Sequence, residues 1–296
     1  MSGMNRNPEA VALAPALYVV ATPIGNLGDI TLRALDTLRG VDLIACEDTR
    51  HAKQLLAHHG IAVPTLALHQ HNENTAAATL IDLLHEGKRI ALITDAGTPG
   101  IGDPGARAVA AVRAAGFRVV PRPGANAPLT ALSAAGLLDE RFLFVGFLPA
   151  KVGARRTAIS ALVNVDATLV FYEAPHRVLD TVADLAELLP MRQDIVIARE
   201  LTKLFEQIER LPLAQAGDWL RADANRQRGE FVLLLPAPPT RDAHAEDAAA
   251  TRVLTTLLAE LSLKQAVKLA AEITSQPRNA LYTQALALKA APADSL

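Results

Sequence analysis

Residues 89–105 read Arg89-Ile90-Ala91-Leu92-Ile93-Thr94-Asp95-Ala96-Gly97-Thr98-Pro99-Gly100-Ile101-Gly102-Asp103-Pro104-Gly105. The stretch opens as a short apolar run of the kind that forms a buried strand, and helical composition resumes after Gly105. Between the two, residues 94–105 hold four glycines, two prolines and two aspartates. Packing alone does not call for that mixture. Glycines let backbone N–H and C=O groups face a ligand, and Asp95 and Asp103 accept from hydroxyl or amino groups and favour a cation. The stretch reads as a strand-to-helix ligand loop; an acidic metal loop or a capping turn is the plainer alternative.

Around it, short β-rich runs at 17–22, 43–46, 65–68, 89–94 and 117–120 alternate with helical patterns that start near Asp29, Thr49, Asn74 and Gly105. This alternation predicts an α/β domain with a mostly parallel, doubly wound sheet. Ligands of such sheets lie beyond the carboxyl ends of the strands. That rule brings Thr22-Pro23-Ile24-Gly25-Asn26-Leu27-Gly28-Asp29, Glu47-Asp48-Thr49-Arg50 and Pro123-Gly124-Ala125-Asn126-Ala127 to the crevice of loop 94–105. The first of these lacks the G-x-G-x-x-G spacing, which argues against a standard dinucleotide site. A sulfonium cofactor with an amino group and a ribose diol suits the acceptors of loop 94–105.

A second α/β unit begins near Asp139, with strands expected at 142–148, 168–172, 195–199, 205–209 and 231–235. Val178, Val182, Leu185 and Leu189 mark one face of a helix between them. The close spacing of its later strands predicts a mixed or antiparallel sheet. Three prolines at 236, 238 and 239, followed by small and charged residues, make 238–250 a linker. Short helices follow, and the turn before Pro277 permits a helix-turn-helix. The expected division is therefore 17–138, 139–237, 238–250 and 251–288.

The 296 residues carry 29 basic and 31 acidic side chains, a net charge of -2, so no global positive field marks nucleic acid as a partner. Cys46 is the single cysteine, which excludes an internal disulfide and a zinc site of several thiolates and fits a reducing compartment. It reads as a small apolar residue of a buried strand. Pro15 interrupts the apolar segment 11–21, and no apolar run reaches the roughly 18 residues of a membrane span, so a soluble cytoplasmic protein is expected.

Several polar groups invite chemistry. Phe171-Tyr172-Glu173-Ala174-Pro175-His176-Arg177 ends a strand and gathers an aromatic ring, a carboxylate, an imidazole and a guanidinium, a mixture that suits a substrate face. Arg199-Glu200-Leu201-Thr202-Lys203 adds charge. Lys151, Arg155 and Arg156 form one basic cluster, Arg226 and Arg228 another, each able to hold phosphates or simply to solvate the surface. His69-Gln70-His71 offers two imidazoles with no third ligand, so no metal is expected.

These motifs resemble the tetrapyrrole methylase family of S-adenosylmethionine methyltransferases, in particular its RNA-modifying branch. The resemblance covers residues 17–286 and adds Cys46, Val145-Gly146-Phe147-Leu148-Pro149 and Arg228-Gly229-Glu230-Phe231 to the motifs quoted above. It implies two α/β domains with the cofactor in the cleft between them and a small C-terminal helical module. It implies a homodimer that methylates the ribose 2′-hydroxyl of a cytidine in the decoding region of 16S ribosomal RNA, with neither a membrane nor DNA as partner. Cofactor contacts would come from Pro23, Gly25, Asp95, Ala96, Gly97, Thr98, Ile101, Asp103, Ser133 and Tyr172. RNA contacts would come from Lys151, Arg155, Arg156, Arg177 and Arg199. Glu173, His176, Glu200 and Lys203 are the unranked proton acceptors or orienters.

Two other readings compete. One is a tetrapyrrole or other small-molecule methyltransferase on the same scaffold, because fold does not fix substrate. The other is a non-catalytic helix-turn-helix protein, against which the sparse basic residues of 276–288 weigh.

Overall fold

Strands β1 (Leu17–Val20), β2 (Leu43–Cys46), β3 (Thr65–Ala67), β4 (Ile90–Leu92) and β5 (Val119–Arg122) form an all-parallel sheet in the order β3-β2-β4-β1-β5. They belong to a computed structural model that describes residues 13–70, 72–238, 243–274 and 276–290. Between and after the strands run α1 (Leu32–Gly40), α2 (Thr49–His58), α3 (Glu73–His85), α4 (Ala106–Ala114) and α5 (Ala127–Ala134). Ala34, Leu38, Ala52 and Leu56 of α1 and α2 pack on one face of the sheet with Tyr18 and Ile44. Ala77, Leu80, Ala108 and Val112 of α3 and α4 pack on the other with Leu17 and Leu92. The chain therefore leaves the adjacent strands β1 and β4 toward opposite faces, the arrangement that opens a ligand crevice.

The second sheet has the order β6-β7-β10-β8-β9, built from β6 (Phe142–Phe147), β7 (Thr168–Glu173), β8 (Asp194–Arg199), β9 (Gln207–Pro212) and β10 (Phe231–Leu235). Only β6 and β7 are parallel; the other pairs are antiparallel, giving the mixed sheet expected. Helices α6 (Val152–Ser160), α7 (Val178–Leu188) and α8 (Ala216–Arg221) cover one face around Leu169, Phe171, Ile197 and Leu233. The other face, with Val170, Ala198, Val232 and Leu234, is covered by α5 and by Ile24 of the first α/β unit. The two α/β units thus keep cores of their own and join through a shared apolar cluster, and the crevice of the first opens onto the second.

The described residues from Ala243 onward form a separate compact unit. Its helices α9 (Ala243–Glu260), α10 (Leu263–Thr274) and α11 (Arg278–Ala290) bury Leu254, Val267, Ala270 and Leu281 together. Among the described residues no helix is long and apolar enough to cross a membrane.

Local differences from the expected elements have physical causes. Residues 243–250, read as linker, already belong to α9, because alanine-rich sequence favours helix once the prolines are passed; residues 239–242 lie outside the described set. Helix α1 starts at Leu32, where the Thr31 hydroxyl accepts from Ala34 N, and Asp29 closes a 3-10 turn capped by Asn26. Strand β9 starts after Phe205, which stands 69% exposed in the preceding turn. Strand β5 includes Pro121, tolerated because β5 is an edge. Cys46 is buried in β2, its thiol pushed up to about 11 by burial, with Asp95 and Asp48 adding to the shift.

One carboxylate holds the exit of loop 94–105. Glu73 of α3 is buried and accepts from the backbone N–H groups of Gly105, Arg107 and Ala108 at 3.0, 3.0 and 3.3 Å. These are orphan donors of the first turn of α4, and an anion is favoured there. Glu73→Ala is expected to lower stability by about 1.5–3 kcal/mol, the range for hydrogen bonds to a charged group. Glu73→Gln, which keeps an acceptor, should cost less; urea unfolding of both variants checks the order.

Candidate active site

Four loops meet beyond the first sheet, stitched mainly through backbone. Thr22 N donates to Gly97 O at 2.8 Å and Gly97 N to Thr22 O at 3.1 Å, an isolated antiparallel bridge between the loops that leave β1 and β4. The Thr22 hydroxyl donates to Thr94 O at 3.0 Å. Thr98 Oγ1 donates to Ala125 O at 3.1 Å, which joins the loop after β5, and Asp48 N donates to Asp95 Oδ1 at 3.2 Å, which joins the loop after β2. Gly97 and Gly102 have left-handed φ of 80° and 84°. At Gly102 a Cβ would stand 2.8 Å from Cε2 of Tyr172, so glycine alone lets the loop lie against β7.

Between the two sheets lies a cavity of about 350 Å³. Ile24, Ala96, Asp103 and Ala127 line it from the first unit, and Phe147, Tyr172, Leu201, Glu230 and Val232 from the second. Of the residues expected there, Ala96, Asp103, Tyr172 and Glu173 reach the cavity. Pro23, Gly25, Gly97, Thr98 and Asp95 are not among the lining residues; they belong to the loops that shape its wall. Ile101 is 41% exposed and outside the lining. Ser133 is exposed on α5, its hydroxyl donating within the helix to Thr130 O. Leu201, Val232 and Phe147 were not expected as site residues. For Val232 the signal was present in the alternation of β10, where Val232 and Leu234 face away from Phe231 and Leu233.

The first-unit wall is acidic. Burial raises the Asp103 carboxyl above its ordinary value and Asp95 adds to this, against a hydrogen bond from Thr94. Burial also raises Glu47, helped by Asp103 and Asp95, while the Thr94 hydroxyl donates to its Oε2 at 3.2 Å. Tyr172 is pushed up to about 12 by burial, with Asp103 and Glu230 contributing, so its hydroxyl stays neutral.

The turn after β8 supplies the opposite rim. Glu200 and Thr202 both adopt left-handed backbone, φ 52° and 66°, conformations that cost about 1–3 kcal/mol each in non-glycine residues. Between them Leu201 is buried in the cavity wall. Lys203 Nζ donates to Glu200 Oε1 at 2.9 Å and Glu230 Oε2 at 2.8 Å, and Glu230 N donates to Glu200 Oε1 at 3.0 Å. Burial would lower the Lys203 pKa, but the two carboxylates outweigh it and leave it raised. The Lys203 stem lies on the first loop: a Cβ at Gly25 would meet its Cγ at 2.6 Å.

Most expected RNA-binding cations are consumed by the fold. Arg155 is buried with Asp184 at 2.6 Å, and Arg156 pairs with Asp184 and Glu187, so α6 is clamped to α7 and these guanidiniums are not offered to phosphate. Arg177 donates to the carbonyls of Leu148 and Pro149. Arg199 is buried against Arg228 O and Gln207. Arg226 stacks on Trp219 at 4.4 Å. Lys151 is exposed without an ion pair among the described residues. Glu173 is likewise occupied: its carboxylate accepts from Thr181 Oγ1 at 2.5 Å and Ala174 N at 2.8 Å and faces Arg177 Nε at 3.4 Å, so it anchors the β7–α7 turn. His176 is exposed in that turn, and His71 lies outside the described residues.

The raised Glu47 carboxyl has a measurable consequence. A folded pKa above the unfolded one gives stability that is full below the unfolded pKa and is lost as pH rises through the folded pKa. Glu47→Gln should therefore raise the thermal unfolding midpoint at pH 7, with an advantage that shrinks toward acid pH; an equal or lower midpoint at pH 7 would contradict this.

Comparison with known proteins places this geometry. The Tetrapyrrole (Corrin/Porphyrin) Methylases profile matches residues 16–217, and the RsmI C-terminal HTH domain profile matches residues 244–289. A protein of Pseudomonas aeruginosa named Ribosomal RNA small subunit methyltransferase I is 51% identical over 276 residues, covering 92% of this chain and 97% of that protein. Its namesake from Escherichia coli O157:H7 is 52% identical over 272 residues, covering 91% and 94%. Among solved structures, uroporphyrin-III C-methyl transferase from Thermus thermophilus, complexed with S-adenyl homocysteine, has a TM-score of 0.53 at 17% identity over 74% of this chain and 96% of that one. The two share a fold over three quarters of this chain, and the chain belongs to the tetrapyrrole methylase family, with an RsmI-type helix-turn-helix domain at its C-terminal end.

Proposed function

We propose that this chain uses S-adenosylmethionine to methylate the ribose 2′-hydroxyl of a cytidine in 16S ribosomal RNA, acting in the cytoplasm as a homodimer. The observation that carries the reading is identity of about half, over more than nine tenths of the chain, to proteins named as small-subunit ribosomal RNA methyltransferases. The helix-turn-helix match supports a nucleic-acid substrate over a macrocycle.

The cavity fits the cofactor in size and chemistry. About 350 Å³ is within the range of small-molecule sites. Ile24, Leu201 and Val232 offer apolar contact to a flat base, and Asp103 an acceptor to a hydroxyl or ammonium group. When bound, S-adenosylmethionine supplies an electrophilic methyl on a sulfonium. The chain's own task is alignment and exclusion of water, an effect worth up to about 7–11 kcal/mol in well-oriented reactions. Lys203, held cationic by Glu200 and Glu230, does not accept a proton near neutrality; it acts as an orienting cation at the rim.

Transfer of tritiated methyl to undermethylated small ribosomal subunits tests the reading, and label in a macrocycle with none in RNA would refute it. Lys203→Met should lower kcat about tenfold or more, within the scale of a lost positioning group, and Lys203→Arg should recover part of it. Gly25→Ala, which evicts the same stem, should give a similar loss, and the double variant should lose little beyond either single one because the two act on one contact.

A further inference from the structure

We propose that Phe147 is the stacking surface for a nucleobase that the RNA presents at the cavity, an inference that rests on the RNA reading above. One irregularity in β6 decides where this ring points. Phe142, Leu143 and Phe144 pair with Thr168, Leu169 and Val170, but the register then shifts, so that Gly146 faces Phe171 and Phe147 faces Tyr172. Gly146 takes a left-handed φ of 75°, which costs a glycine little. Unbroken alternation would put Phe147 on the side where Val145 packs, among the helices. The extra residue puts it instead on the face of Phe144 and Tyr172, the cavity face.

The ring is held but not covered. Tyr172 meets Phe144 edge-on at 5.1 Å and Phe147 at 5.3 Å with a 50° tilt. Arg177 Nη2 fixes the backbone just beyond, donating to Leu148 O at 2.7 Å and Pro149 O at 3.2 Å. Yet Phe147 lines the cavity while 55% exposed, so more than half of a large apolar side chain stands open to solvent at the rim. Planar bases stack on such rings whatever their sequence, and single-stranded or splayed RNA is recognised in this way. Lys151, four residues on and exposed at the start of α6, is a cation of the kind that contacts a nucleic-acid backbone.

The test uses the full chain with undermethylated small ribosomal subunits, tritiated S-adenosylmethionine for turnover, and S-adenosylhomocysteine for calorimetry. Phe147→Ala should raise KM for the subunits by about ten- to a hundredfold, the range for one lost base stack. Its affinity for S-adenosylhomocysteine should stay at the parent value, which also shows the variant folded. Phe147→Tyr should restore the parent KM, and Phe147→Leu should not. An unchanged KM in Phe147→Ala, beside a parent that labels RNA, would overturn this inference alone. A matching fall in S-adenosylhomocysteine affinity would assign the ring to the cofactor's adenine and overturn it too. A parent that labels no RNA would remove both the functional reading and the inference.

Discussion

Two hydrogen bonds between Thr22 and Gly97 hold the molecule's working end together. They join the loops that leave β1 and β4, strands that pair side by side and then send the chain to opposite faces of the sheet. Divergence alone would leave an open slot. The bridge closes its floor, fixes the left-handed turn at Gly97, and sets Ile24 where it packs against the second sheet. From there Thr98 and Asp95 extend the stitching to the loops after β5 and β2. Glu73 anchors the far end of the same loop on α4.

The electrostatics of the cavity are asymmetric. On one side the half-buried carboxyls of Asp103, in the wall, and Glu47, behind it, are raised by burial and by Asp95, so this side carries charge reluctantly. At the opposite rim Lys203 is flanked by two carboxylates, and its charge is secure. The strained backbone at Glu200 and Thr202 is held by this same ion network and by Glu206, whose carboxylate accepts from Thr202 N at 2.6 Å. Strain kept in place by polar contacts around a cavity-lining side chain is a common property of functional turns.

The α/β alternation, the glycine-rich strand-to-helix loop 94–105 and the mixed second sheet were legible because each leaves a periodic or compositional mark. Helix α5 was not anticipated, since Pro128 and small residues blur its pattern. The basic clusters misled for a different reason. Arg155 and Arg156 stand among exposed-looking residues in the chain, but their partners Asp184 and Glu187 are about thirty positions away. Glu173 resembled a proton acceptor until its carboxylate was seen to be filled by Thr181 and Ala174.

By itself the sequence determined the α/β alternation of both units, which loops must expose backbone, and which family the chain belongs to, because these depend on local periodicity, glycine placement and ordered motifs. Tertiary structure alone decided which charges remain available and which rings face the cavity. Ion pairing between residues about thirty positions apart on α6 and α7, and the register in which β6 meets β7 at Gly146, are set by contacts between elements, and composition does not reveal them.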